Sequence, residues 1–212
     1  MAMAWRPGAR KAGAPRKAAG VLLAATTPGP SQMWAVGLTG FCSFLDVYVT
    51  QPILPELAHR FAASPAAVGL TISAVTLAVA IAAPVVGILA DRIGRKRLIV
   101  AALLLLAIPT WLAADAPTLA TLVHWRFAQG LLVPGVFVVS IAYVTEEWAD
   151  RRAAALAMAV YVVGTVLGGV SGRFLTAVIA ADWGWRTAFE TLAGLTVIGG
   201  LAVWRLLPPA QR

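Results

Sequence analysis

Charged side chains are scarce in this sequence: Asp, Glu, Lys and Arg make up 12% of its 212 residues, against ~25% in soluble domains. With 60% hydrophobic residues and a mean hydropathy of +0.82, that scarcity excludes an ordinary water-soluble domain. Cysteine is nearly absent. Cys42 stands alone in an apolar run, so no intrachain disulfide can form. Short segments of alternating polarity are missing too, which excludes an outer-membrane barrel. There is no metal-ligand cluster, nucleophile triad or phosphate loop, so no metal, cofactor or enzymatic role is expected. The net charge of +8 would point to nucleic acid in a soluble chain. Here the cations gather in a tail and two loops, where membrane topology accounts for them, and no nucleic-acid partner is expected.

What the chain does have is a series of apolar runs of about 20 residues, the pattern of an all-α integral membrane protein in a lipid bilayer. Spans are expected over 33–54, 66–90, 97–114, 118–144, 153–181 and 185–207. Pro52 and Pro55 mark the end of the first, and Ser64-Pro65 reads as the cap and first turn of the second. Between them, Glu56, His59 and Arg60 fall in a loop. Asp182-Trp183-Gly184-Trp185 makes the turn before the sixth span. Residues 1–32, rich in Ala, Gly and Pro with five cations and no acid, read as a disordered basic tail. A secretory signal around 18–25 and a translation start at Met33 are rival readings. Residues 208–212 form a short polar end.

The stretch 87–97 organises the rest. Gly87, Asp91, Arg92, Gly94, Arg95 and Lys96 lie in a short cationic turn between two spans, and Gly94 permits the reversal. The cations cannot enter hydrocarbon, so the turn stays on one side of the bilayer. The tail, this turn, the loop 146–152 and the C-terminus share that side. The other side carries only Arg60 and Arg186. The positive-inside rule then places both termini in the cytoplasm. Six spans read as three plus three, with the repeats inverted.

Asp46 and Arg126 each lie about eight residues, or ~12 Å, inside the extracytoplasmic end of their spans, so they meet if the first and fourth spans are neighbours. Charges at that depth face a partner or a cavity. The pair is either a structural ion pair or a proton-titrating carboxylate set against a cation. Gln129 sits one turn from Arg126, while Tyr48 and Gln51 follow Asp46, so all three are candidate cavity residues, with an interfacial anchor an equal reading of Tyr48. Glu190 is either an ion-pair partner of Arg186 at i+4 or a cavity residue. Gly164, Gly168, Gly169 and Gly172 give the fifth span a smooth face for close helix packing or for rocking, and Arg173 beside them needs a polar partner or access to water.

Gly87-x-x-x-Asp91-Arg92-x-Gly94-Arg95-Lys96 resembles the loop 2–3 signature of the major facilitator superfamily. Arg126-x-x-Gln129-Gly130 resembles its helix-four motif, and Asp46 with Gln51-Pro52-x-Leu54-Pro55 its helix-one acidic motif. The glycine run resembles the antiporter motif but carries Gly169 where a proline usually follows the glycine. Gly172-Arg173-Phe174 and Trp183-Gly184-Trp185-Arg186-x-x-Phe189 look most like the acriflavine-sensitivity type of bacterial inner-membrane transporters. The resemblance implies proton-coupled transport, in the export direction, of a small molecule. It also implies a cytoplasmic gating cluster of Asp91, Arg95 and one of Glu146 or Glu147. Family members normally have twelve spans, so these six imply an N-terminal half completed by a second six-helix half or another copy. The alternative is a truncated, non-transporting remnant or interaction subunit.

Overall fold

The computed structural model describes residues 29–148 and 150–208, apart from the side chain of Glu147. The described residues form helices without strands: α1 (Pro30–Val47), a 3-10 turn (Gln51–Ile53), α2 (Leu54–Arg60), α3 (Pro65–Ile93), α4 (Arg95–Ala114), α5 (Leu119–Glu147) and α6 (Arg151–Leu206). Most of the expected tail, and residues 209–212, lie outside the described residues. Pro30, Ser31 and Gln32 belong to α1 instead.

Local chemistry accounts for the helix starts. Ser64 Oγ accepts from the Ala67 amide at 3.2 Å with Pro65 in the first turn, as its sequence implies. Thr118 Oγ1 accepts from the Thr121 amide, and both Asp150 carboxylate oxygens cap α6. The loop expected around Glu56 to Arg60 is helical. Pro55 sits in the first turn of α2, where its missing N–H leaves no bond unmade. The cationic turn is also shorter than expected. α3 continues through Asp91 and Arg92 to Ile93, and α4 begins at Arg95. Only Gly94 is non-helical, with φ 92° and ψ 135°, a conformation suited to glycine.

Among the described residues, five helical segments are long and apolar enough to cross a membrane, not six. Residues expected as the fifth and sixth spans are joined in α6, 56 residues long, in which Gly184 (φ 83°, ψ 161°) alone leaves helical geometry. Asp182, Trp183 and Trp185 remain helical, so no loop separates the two arms. The arms nevertheless run in opposite directions along α1. Gly164, Gly168 and Gly172 meet Gly37, Phe41 and Leu45 in ascending order, whereas Thr196 and Gly199 meet Asp46 and Cys42 in descending order. At the first three glycines a β-carbon would collide with a main-chain carbonyl of α1, so the backbones touch.

Two apolar clusters fill the bundle. One gathers Cys42, Val86, Leu103, Val136, Ala157 and Val203. The other gathers Leu45, Val68, Ala113, Leu122 and Leu192. Between them, in the same helices, lie Asp46, Thr71, Thr110, Arg126, Gln129 and Thr196, every one buried. The bundle thus carries a polar layer between two apolar blocks.

Candidate functional site

The polar layer is held from five directions. Asp46 is 1% exposed near the C-terminal end of α1. Its Oδ2 accepts from Thr196 Oγ1 of the second arm of α6 at 2.6 Å, and its Oδ1 accepts from Thr110 Oγ1 of α4 at 3.2 Å. Both donors are neutral hydroxyls. A hydroxyl can donate or accept, so it can accompany the carboxyl group in either protonation state.

Arg126 of α5 is fully buried and does not reach that carboxylate. Its Nη1 donates to the Asp46 main-chain carbonyl at 3.0 Å and its Nη2 to that of Val47 at 2.7 Å. These carbonyls close α1, at the negative end of the helix dipole, so they stabilise a cation. Nε donates to the Thr71 carbonyl of α3 at 3.2 Å, and Nη1 also donates to Gln129 Oε1 at 2.5 Å. The expected meeting of Asp46 and Arg126 therefore occurs, but through the main chain. Side-chain contact is indirect: Gln129 Nε2 donates to Thr110 Oγ1 at 2.7 Å, and that hydroxyl faces Asp46 Oδ1. Guanidinium, amide, hydroxyl and carboxylate form one relay.

Gln51 and Tyr48 belong to a second cluster. Arg173, in the first arm of α6, donates from Nε to Gln51 Oε1 at 2.7 Å and from Nη1 to the Gly169 carbonyl at 3.1 Å. Its guanidinium carbon lies 3.8 Å from the centroid of the Tyr48 ring. Gly169 takes no part in the backbone contact made by its three neighbours; a β-carbon there would lie 3.3 Å from the Tyr48 ring. Glu190 is half-buried and makes no ion pair with Arg186 among the described residues. Arg186 instead lies over the Trp185 ring at 5.7 Å.

At the turn, Arg95 joins two helices. Its Nη2 lies 2.5 Å from Glu146 Oε2 at the end of α5 and 3.9 Å from Asp91 Oδ1. Arg92 is exposed, and Lys96 is half-buried with no ion pair among the described residues. Gly87 has open space where a β-carbon would sit. The Glu147 side chain lies outside the described residues.

The sequence does not single out Thr71, Thr110 and Thr196. Their signal is a hydroxyl inside an apolar span, and it is weak: Thr71 and Thr110 also satisfy themselves on carbonyls of their own helices.

Residues 36–212 match the family model described as Major Facilitator Superfamily. The chain is 33% identical over 172 residues to the Inner membrane transport protein YnfM of Escherichia coli (strain K12), covering 81% of this chain and 41% of that protein. It is 28% identical over 172 residues to an uncharacterized MFS-type transporter, YybF, of Bacillus subtilis (strain 168), covering 81% of this chain and 42% of that one. It spans about two fifths of the length of these relatives. Among solved structures, it is similar to a bacterial homolog of the human lysosomal transporter Spinster in an inward-facing, occupied conformation, with a TM-score of 0.77 and 19% identity over 85% of this chain and 44% of that one.

Proposed function

The chain belongs to the major facilitator superfamily, and from that premise we propose that it forms part of a proton-coupled exporter of small molecules, with Asp46 as the proton-carrying carboxylate. One observation carries the reading: a wholly buried carboxylate in a spanning helix is held by two neutral hydroxyls rather than by a cation. Intramembrane carboxylates are costly and tend to mark proton or substrate paths. The relay through Thr110 and Gln129 gives Arg126 a way to respond when Asp46 gains or loses its proton.

The same proposal gives the chain six crossings. A straight helix of α6's length would run about 84 Å, against roughly 30 Å of hydrocarbon. The opposed arms that meet at Gly184 support two crossings. Asp46 and Arg126, on the first and fourth crossings, then suit a 3+3 inverted repeat. With cations concentrated at one end, both termini face the cytoplasm, and the Arg95 ion pairs form a cytoplasmic latch from α4 to α3 and α5. A second six-helix half, or another copy, supplies the opposite wall of the cavity. The length of the relatives supports this.

The test is reconstitution into vesicles loaded with a pH-sensitive dye, with a panel of anionic, neutral and cationic dyes as substrates. Proton movement that depends on one of these supports the reading. Its absence across the panel, with the second half supplied, overturns it.

A further inference from the structure

Arg173 differs from the other buried or bridging arginines. Arg126 donates four hydrogen bonds and caps α1, and Arg95 meets two acids. Arg173 lies eleven residues before the break at Gly184, about 16 Å along its arm. Its partners, Gln51, the Gly169 carbonyl and the Tyr48 ring, are all neutral. No carboxylate lies within 4.0 Å of it among the described residues. A half-buried guanidinium at that depth carries an unmatched positive charge, and only two of its five N–H groups are committed.

The surroundings specify what would match it. From Tyr48 a line of rings continues to Phe44 at 6.0 Å and to Phe137 of α5 at a further 5.8 Å, all three half-buried. An apolar strip therefore begins at the cation and crosses from α1 to α5. Gly169 leaves room for this arrangement. A β-carbon there would press on the Tyr48 ring at 3.3 Å and come into contact with Arg173 Nη1 at 3.5 Å. The position where the antiporter pattern has proline is here the space that the stacked pair uses.

We propose that Arg173, Gln51 and Tyr48 bind the charged head of an amphipathic organic anion, a carboxylate or sulfonate, whose apolar body lies along Phe44 and Phe137. Arg173 supplies charge-assisted hydrogen bonds to the head. The Gln51 amide nitrogen supplies a further donor, because its Oε1 already accepts from Arg173. The inference deepens the transport reading by naming a substrate class, and it rests on that reading only in making the anion a substrate. Binding is measured at equilibrium, so a chain that moves no protons can still pass, and a transporting chain can still fail.

The experiment is titration of the full chain in nanodiscs of zwitterionic lipid with 1-naphthoate and with its uncharged analogue 1-naphthamide. Naphthoate is expected to bind about tenfold tighter or more, the scale of one charge-assisted hydrogen bond. Arg173→Gln should erase that preference and Arg173→Lys should keep part of it, with helix content by circular dichroism unchanged in both. Gly169→Ala should weaken naphthoate severalfold. Equal binding of the two probes, or a preference that survives Arg173→Gln, overturns the proposal. So does an Arg173→Gln variant that alters only the association of the chain with protein, which would assign the charge to a protein contact.

Discussion

Arg126 grips Asp46 by its main-chain carbonyl, at 3.0 Å, while the carboxylate of the same residue turns to Thr110 and Thr196. The two charges are thus neighbours without forming a side-chain ion pair. The arginine is held as the cap of a helix end, and the acid remains among groups that tolerate either protonation state. What joins them is the relay through Gln129 and Thr110.

Thr110→Val keeps the shape of the side chain but removes the relay's middle hydroxyl. It leaves Gln129 Nε2 and Asp46 Oδ1 each one partner short, a cost of about 1–3 kcal/mol for an unsatisfied buried group. A lower melting temperature in detergent is expected, together with loss of substrate-linked proton movement. Gln129→Leu should behave alike, and the double variant should lose much less than the sum. Additive losses would show that the two residues do not act as one chain.

Arg126→Lys retains the charge but not the planar fork that reaches the Asp46, Val47 and Thr71 carbonyls together. Destabilisation of about 3 kcal/mol is expected for Arg126→Leu, on the scale of breaking a buried charged network. Lysine should recover only part of that. Thermal unfolding of purified chains followed by circular dichroism checks the order wild type, Lys, Leu.

Gly168→Leu and Gly87→Leu should have opposite consequences. At Gly168 any β-carbon meets the carbonyl of Phe41, so α1 and the first arm of α6 must separate, and expression of folded chain should collapse. At Gly87 nothing lies within 4 Å, and replacing a mid-helix glycine gains about 0.5–1 kcal/mol in helix propensity. Size-exclusion profiles of the two variants separate the outcomes.

Glu146→Gln removes the shorter of the two Arg95 ion pairs. That pair is half-exposed on the glutamate side, so its loss should change stability by less than about 1 kcal/mol and should matter less at high salt. An effect on transport with no effect on melting temperature would mark the pair as a gate. Asp91→Asn, at 3.9 Å from Arg95, should act in the same direction and more weakly.

These contrasts also show which features can be read from residue order. The turn at Gly94 and Arg95 is legible because hydrocarbon excludes its charges wherever the helices point. That Asp46 and Arg126 lie at one level of the bundle is legible because helical rise is constant. Which atoms meet is not, because that depends on how each helix is rotated. Arg173 and Gln51 are 122 positions apart, and nothing in their spacing pairs them. The helix over Leu54–Arg60 is hidden by prolines that terminate a helix or begin one equally well. The break in α6 is marked by Gly184, but the helical state of Asp182 and Trp183 on its flank is not.

The central claim, that Asp46 carries the coupled proton, is tested most directly by Asp46→Asn in reconstituted vesicles with the second half supplied. Substrate exchange across a membrane without a pH gradient should persist, because asparagine can accept from one of the two threonine hydroxyls through Oδ1 and donate to the other through Nδ2. Accumulation driven by a pH gradient should vanish, along with substrate-linked proton movement. Gradient-driven accumulation at the wild-type level in Asp46→Asn would contradict the account.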